Sequence, residues 1–385
     1  MKILHVIPYM NPIYGGPPEA LKSMVDVALQ GGHDVNVYAT SSGYKDLESL
    51  SGMAESTNHG GTYNFFEPSF PVSWFYSRDL FGQLNRNIDQ IDLMHLHVPF
   101  TAPFSIAAEV AMKRGVPFVA TPHGLLDKWS MAQKSWKKFP YYHLFEKKHL
   151  LSARLLHVTS SLEERDVLRL GLGVPIENIP LSVADSNIFS KIDMGIKLPH
   201  LLFIGRLHPV KSIPTILKAI KLLSDSGMDV VFDLAGSGTP SYEKYLRDLI
   251  KRDRIESRVI WHGHVDLIKK QNLYKKCNMF VMPSFHENFG LAAAEAMAAG
   301  IPVILSDQVG LAPDVKKWGA GSIIPTDNAV ALAHAVKDML HRGRLDQMSV
   351  AAKRLIDCRF SQETFSKDLL SMYSRALSGH INKSE

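Results

Sequence analysis

Two carboxylates and two cations carry most of the chemistry legible in this 385-residue chain. Glu287 and Glu295 stand with seven residues between them in PSFHENFGLAAAEAMAAG, residues 283–300. A carboxylate accepts from two hydroxyls at once, so a pair of them suits a ligand carrying two diols. A nucleotide sugar, with a hexose at one end and a ribose at the other, is such a ligand. Arg206 and Lys211 lie in Gly205-Arg206-Leu207-His208-Pro209-Val210-Lys211-Ser212. Arginine offers phosphate a planar fork and lysine a mobile point charge. The competing readings are an Ala-rich buried helix with an acidic flank, and a surface loop with two stray cations. Glu295 sits among Ala and Met where a Leu would pack better, which weighs against the first.

The elements around these residues place them at strand ends. Met279–Met282 reads as a buried strand, and the residues after Gly290 are strong helix formers. Gly300 and Pro302 stop that helix, and Val303–Leu305 is the next strand. The loop therefore delivers Asn288, Phe289, Gly290 and Leu291 to a helix N-terminus, where free N–H groups and the helix dipole suit a phosphate or a sugar hydroxyl. Upstream, His200–Ile204 is a buried strand whose following loop carries Arg206 and Lys211 into a helix beginning near Pro214. Val230–Ala235, Val259–His262 and Ile323–Ile324 are further strands. Ala235-Gly236-Ser237-Gly238 and Trp261-His262-Gly263-His264-Val265 are loops at strand ends. Asn328–His341 reads as a helix, and Ser361 caps a last helix running to about Leu377.

The first half repeats the alternation. Ile3–Ile7 is a buried strand that leads through Gly15-Gly16-Pro17-Pro18 into a helix ending at Gln30. The paired glycines let backbone approach an anion, or simply make a flexible turn. Val35–Ala39 is a strand, and Gly43–Pro71 reads as an irregular excursion. Leu93–Leu96 is a strand whose His95 and His97 share one side. Two imidazoles there suggest a metal, but no third ligand is near, so the expectation is two satisfied histidines. Phe118–Thr121 runs into Pro122-His123-Gly124, placing His123 where ligands of doubly wound sheets bind. Lys134–Leu151 reads as a basic, aromatic helix that Pro140 kinks or restarts. Leu155–Thr159 is a strand, Leu162–Leu170 a helix, Gly171–Pro175 a turn and Pro180–Pro199 a linker.

Strands alternating with helices in both halves predict an α/β protein of two doubly wound, Rossmann-like domains. The boundaries read as 1–180, a linker 181–199, 200–360, and a C-terminal helical segment 361–385. Cys277 and Cys358 form no disulfide or metal framework, and the apolar start is broken by His5 and Pro8. The expectation is a cytoplasmic protein without a membrane span. Net charge is +5, and the segment from Lys128 to Leu162 alone holds seven basic residues and one acid. One local face thus accounts for the excess, which disfavours nucleic acid as a partner.

Glu287 and Glu295, with Phe289-Gly290-Leu291 between them and Glu295-Ala296-Met297-Ala298-Ala299-Gly300-Ile301-Pro302-Val303 following, resemble the E-x7-E motif of the family 4 retaining glycosyltransferases. Thr121-Pro122-His123-Gly124 resembles that family's T-x-H-G turn. Gly205 to Ser212 resembles its G-R-L-x-x-x-K-G, with Ser212 in place of the last glycine. The chain departs from the family at Pro180-Leu181-Ser182-Val183-Ala184, where Pro-Asn-Gly-Val-Asp is usual.

The resemblance covers nearly the whole chain and implies the GT-B fold, with the two domains facing across a cleft and the last helix returning to the first. It also implies retaining transfer of a hexose from a nucleotide sugar, UDP-glucose being the commonest case, to a glycan or lipid-linked acceptor in polysaccharide synthesis. In this reading His123 lies beside the transferred sugar. Arg206 and Lys211 meet the leaving diphosphate, helped by Gly15, Gly16 and the N–H groups of Phe289, Gly290 and Leu291. Glu287 holds sugar hydroxyls, Glu295 the ribose, and the backbone at His264 the base; Gly236 and Asn288 complete the donor site.

No cofactor or metal is expected, since Asp-x-Asp is absent. A dehydrogenase is disfavoured because Gly15-Gly16-Pro17-Pro18 lacks G-x-G-x-x-G. A non-hydrolysing epimerase and a silent scaffold of a polysaccharide assembly remain as alternatives. The basic segment, with Trp136, Phe139, Tyr141, Tyr142 and Phe145 among its lysines, suits peripheral contact with an anionic inner leaflet, or is an ordinary helix with its aromatics in the core.

Overall fold

The computed structural model describes residues 1–44, 61–183, 198–341 and 343–379. The chain divides into two compact units, one of residues 1–181 with 365–385 and one of residues 182–364.

The first unit is built on seven strands: β1 (Lys2–Tyr9), β2 (Asp34–Thr40), β3 (Thr62–Phe66), β4 (Leu93–His97), β5 (Phe118–Thr121), β6 (Leu155–Val158) and β7 (Ile176–Asn178). They form one parallel sheet in the order β3-β2-β1-β4-β5-β6-β7. Parallel strands are covered on both faces, which is why β1, β4, β5 and β6 are buried almost throughout. Leu4, Val6, Met94, Leu96, Phe118, Ala120, Leu156 and Val158 share one core with Leu80, Leu84 and Phe104. Side chains alternate along a strand, so His5, His95, His97, Thr121 and His157 fall on the other face. Register aligns them, with His5 opposite His95 and His97 opposite Thr121.

Three expectations change in this unit. The excursion expected over Gly43–Pro71 contains the edge strand β3; its residues 45–60 lie outside the described residues. The short strand β7 follows the Gly171–Pro175 turn without an apolar run to announce it. The expected helix over Lys134–Leu151 is Ser135–Tyr141, a π-turn at Tyr142–Glu146, and Lys147–Ser152. Pro140 has no N–H to bond back one turn, and the wider turn follows it.

The last helix, Gln362–Ser378, starts where the Ser361 hydroxyl accepts from the Thr364 N–H at 3.2 Å. It buries Phe365, Leu369, Met372 and Tyr373. Its Arg375 makes a two-pronged ion pair with Glu177 of β7.

The second unit holds β8 (His200–Ile204), β9 (Val231–Ala235), β10 (Val259–Gly263), β11 (Met279–Met282), β12 (Val303–Ser306) and β13 (Gly321–Ile324). Their parallel order is β10-β9-β8-β11-β12-β13. A helix at Arg344–Arg359 adds to the elements read from the sequence. Of the expected linker, Val183 donates to the Phe360 carbonyl at 3.0 Å, and residues 184–197 lie outside the described residues. Strand order reverses between β1 and β4 in the first sheet and between β8 and β11 in the second. At such switch points the loops beyond the strand ends diverge and leave a crevice. Among the described residues no helix is long and apolar enough to cross a membrane.

Candidate functional site

In the second unit the loops after β8 and β11 flank the switch point. The Phe285 N–H donates to the Val210 carbonyl at 2.8 Å and ties one loop to the other. Lys211, at the end of the short turn Pro209–Lys211, consequently forms an ion pair with Glu287. Arg206 stands exposed on the same loop. Partial desolvation, reinforced by Arg206 and Lys211, lowers the His208 imidazole below its usual pKa. Its Nδ1 accepts from the Val210 N–H at 3.2 Å. Ser212, buried, adopts the left-handed φ of 52° that favours glycine, and its hydroxyl pairs with that of Thr215 at 2.8 Å.

The β11 loop ends at Gly290, which caps the helix Leu291–Ala298 at φ 102° without a side-chain hydrogen bond. A Cβ here would lie 3.0 Å from Val309, so glycine serves both the backbone angle and the close approach. The loop is held by Glu287 N–H to Gln308 at 3.1 Å and by Gly310 N–H to the Glu287 carbonyl at 2.9 Å. Among the described residues, the N–H groups of Phe289, Gly290 and Leu291 find no acceptor. Asn288 precedes them, half-buried.

Glu295, half-buried within this helix, accepts from the Tyr274 hydroxyl at 2.9 Å and pairs with Lys270, both at Oε2. Burial first, then the Glu295 charge, pushes the Tyr274 phenol well above its usual pKa, so it remains a donor. Lys270 and Tyr274 are residues the sequence reading missed. Their spacing of one helical turn in Leu267–Lys276 is the signal that they share a face.

Gly236 is fixed by packing within the chain. Its N–H donates to the Gly263 carbonyl at 2.7 Å, and a Cβ would lie 1.8 Å from the Gly205 carbonyl oxygen. It is a glycine because the loops after β8, β9 and β10 pack backbone to backbone. His264, the next residue after Gly263, is exposed.

In the first unit the loop after β1 lies at the other switch point. Gly15 has φ 104° and caps the helix Gly16–Gln30 without a side-chain hydrogen bond, and nothing lies within 4 Å of a Cβ built on Gly15 or Gly16. Pro17 and Pro18 remove two of the first-turn N–H donors, so this terminus offers an anion fewer contacts than the one at Gly290.

His123 follows β5 in a left-handed conformation, φ 52°, with Gly124 at 76°. Buried Glu163 holds this turn by accepting from the Gly124 N–H at 2.6 Å and the Thr159 N–H at 2.8 Å. The expectation that His95 and His97 have no third ligand near them is corrected here. His5 supplies it from the neighbouring strand, with one nitrogen from each of the three rings within 4.8 Å of the others. These rings bond within a longer row. His5 Nδ1 meets His97 Nε2 at 3.0 Å, and His97 Nδ1 meets His123 Nε2 at 3.0 Å. His95 joins Tyr373 at 3.0 Å and Thr121 at 2.6 Å, and Thr121 joins His157 at 3.1 Å. Burial lowers His5 and His123 to about 3 and His157 to about 4, and holds His95 and His97 well below the usual value. All five are neutral at physiological pH.

Comparison with known proteins covers both units. The family model described as Glycosyltransferase Family 4 matches residues 14–187, and the one described as Glycosyl transferases group 1 matches residues 187–355. An uncharacterized glycosyltransferase of Methanocaldococcus jannaschii is 26% identical, over 96% of this chain and 96% of its own. Sucrose-phosphate synthase from Thermosynechococcus elongatus is similar with a TM-score of 0.78 at 20% identity, over 98% of this chain and 99% of that one. The Anabaena protein HepE, in complex with UDP-glucose, gives 0.76 at 18% identity, over 97% and 99%. These structures share the fold, GT-B.

Proposed function

The chain belongs to the family 4, group 1 glycosyltransferases, and from that premise we propose that it transfers a hexose from a nucleotide diphosphate sugar with retention of anomeric configuration and without a metal. The observation that carries this reading is the β8–β11 crevice. One of its loops carries Arg206 and Lys211, and the other carries Glu287, paired with Lys211, and the acceptor-free N–H groups at Phe289–Leu291. Two cations and a helix N-terminus are what a leaving diphosphate requires, and they act most strongly as its charge develops. Lys211 turns to phosphate while Glu287 accepts from sugar hydroxyls. Glu295 takes the ribose diol through Oε1, which has no hydrogen-bond partner among the described residues. The backbone around His264 meets the base. UDP-glucose or a similar UDP-hexose is the favoured donor, supported by the fold shared with HepE, whose structure holds UDP-glucose.

The acceptor we propose is a glycan or lipid-linked sugar in polysaccharide synthesis, reached from an anionic membrane surface. Between Lys128 and Ser152 the structure leaves Trp136 74% exposed, Leu144 69%, Phe139 62% and Phe145 52%. Of Trp136, Phe139, Tyr141, Tyr142 and Phe145, only Tyr142 is buried. Trp74 stacks edge-on against Tyr141 at 5.4 Å and, with exposed Phe70 and Val72, extends the apolar patch. Lys128, Lys134 and Lys137 of the same segment are exposed, and Lys137 lies 4.7 Å from the Trp136 ring centre. Lys138 is turned inward to the Ser130 carbonyl and Lys148 pairs with Glu109, so fewer cations are free than the sequence count implies. Exposed apolar side chains with lysines in the same segment suit a headgroup boundary.

The test is turnover of a panel of nucleotide sugars, with UDP release measured with and without EDTA and the product linkage determined by NMR. The expected result is EDTA-insensitive UDP release and an α-linked product. Loss of activity in EDTA restored by Mn²⁺ or Mg²⁺ overturns metal independence. Conversion of the donor to an epimer without an acceptor indicates an epimerase, and binding without turnover a scaffold.

A further inference from the structure

We propose that the buried imidazole row of the first unit is a tautomer relay. It is anchored at the Ile179 carbonyl and holds His123 with its proton on Nε2 and a bare Nδ1 that accepts from a substrate hydroxyl. This deepens the proposed function and rests on it for the identity of the substrate; the tautomer itself does not.

The direction follows from donor counting along one path. His157 Nε2 meets the Ile179 carbonyl oxygen at 3.0 Å, and a carbonyl only accepts, so Nε2 carries the proton. A neutral His157 then has a bare Nδ1, and Thr121 must spend its one hydroxyl proton there, at 3.1 Å. His95 Nε2, 2.6 Å from the same Thr121 oxygen, is therefore the donor of that bond, and His95 Nδ1 is bare. Tyr373 donates to that Nδ1 at 3.0 Å, which leaves the Tyr373 oxygen to accept from His5 Nε2 at 3.5 Å, the longest link. His5 Nδ1 is then bare and takes the His97 Nε2 proton, and His97 Nδ1 takes the His123 Nε2 proton, both at 3.0 Å. Each step has one solution once the carbonyl is given. Reversing the row would set an N lone pair against the Ile179 oxygen, a buried repulsion.

The far end of the row is the functional residue. His97 is the only hydrogen-bond partner of the His123 side chain among the described residues, so Nδ1 has none among them. The turn that carries it is set by left-handed backbone at His123 and Gly124 and by Glu163. His5, His95, His97, His157, Thr121 and Tyr373 act in this scheme as positioning residues.

Histidine-labelled protein, free of donor and acceptor, is examined by long-range ¹H–¹⁵N correlation, with His123→Ala assigning the His123 signals. The wild type should show a protonated Nε2 and an unprotonated Nδ1 at His123, His97, His5, His95 and His157. In Tyr373→Phe, His157 and His95 should keep this state while His5, His97 and His123 populate both tautomers. Thr121→Val should release every ring beyond His157, and Thr121→Ser, which keeps the hydroxyl, should restore the lock. A proton on Nδ1 of His123 in the wild type overturns the relay, as does an unchanged His123 in both Tyr373→Phe and Thr121→Val. Stoichiometric zinc in the purified protein, with metal-shifted His5, His95 and His97 nitrogens, also overturns it. If the relay signature holds but no nucleotide sugar is turned over, the function fails and the tautomer assignment stands.

Discussion

His95 and Tyr373, 278 residues apart in the chain, meet through Nδ1 and the phenol at 3.0 Å on the buried histidine face of the first sheet. Within the first unit the final helix is thus held by a polar link as well as by buried Phe365, Leu369 and Met372. Tyr373→Phe keeps the ring packing and strands a buried acceptor on His95. The expected loss is about 1–3 kcal/mol, read as a lower urea midpoint at unchanged slope. A midpoint equal to wild type would show that the bond contributes nothing to stability.

The same row makes stability sensitive to acid. Burial lowers His5 to about 3 and His157 to about 4, with His95 and His97 also well below the unfolded value. Below about pH 6.5 the unfolded chain takes up protons that the native state refuses, so unfolding is favoured as pH falls. The stability is fully present above the unfolded pKa and is lost between about pH 6.5 and the folded values near 3–4. Each imidazole contributes up to about 1.4 kcal/mol per pH unit in that window. Urea titrations at pH 7.5, 6.5 and 5.5 should give a flat step and then a steep one. Equal stability at pH 7.5 and 5.5 contradicts the assignment of buried neutral rings.

Glu295→Ala tests the ribose contact. Loss of charge-assisted bonds worth about 1.5–3 kcal/mol predicts UDP binding roughly 10- to 150-fold weaker by calorimetry. Because Glu295 also holds Lys270 and Tyr274, a Lys270→Met control is needed. Affinity that falls only in the Glu295 variant assigns the effect to the ligand. Unchanged affinity in a folded Glu295→Ala protein removes Glu295 from the site.

Arg206→Ala and Lys211→Ala should lower kcat more than they raise KM, because both cations meet charge that develops in the transition state. A loss of about 10²–10³ in kcat is expected for each, comparable to removing one preorganised electrostatic contact. A pure KM effect would make them ground-state binders.

Membrane contact is tested by sedimentation with anionic vesicles. Lys128, Lys134 and Lys137 changed together to Glu, each worth about 1 kcal/mol near such a surface, should abolish co-sedimentation. Trp136→Ser with Phe139→Ser should weaken it without changing charge. Donor hydrolysis should persist in both, since these residues lie in the other unit from the diphosphate site. A wild type that never sediments ends the proposal and points to a soluble acceptor.

Much of the fold was legible because buried parallel strands are short apolar runs. Ile3–Ile7, Phe118–Thr121, Met279–Met282 and Val303–Leu305 carry that signal in their own residues. Thr62–Phe66 did not, because an edge strand pairs on one side only and its half-exposed Thr-Tyr-Asn-Phe-Phe resembles a loop. The segment around Pro140 was legible as helix but not in its detail: a proline tells where a helix bond is missing, not whether the chain kinks, restarts or widens into a π-turn.

The candidate site divides along the same line. Glu287, Glu295, Arg206 and Lys211 were recognisable by type and spacing, since loops at parallel strand ends are local features that each strand–helix unit specifies alone. Their pairing was not, because Lys211 reaches Glu287 only after β8 and β11, 75 or so residues apart, become neighbours across the reversal in strand order. The histidines show the contrast most clearly. Alternation within one strand put His95 and His97 on a common side, and that much the sequence determined by itself. Only the tertiary structure brought His5, His157 and Tyr373 to them, because register between strands and the docking of a distant helix are set by packing over the whole unit rather than by any one segment.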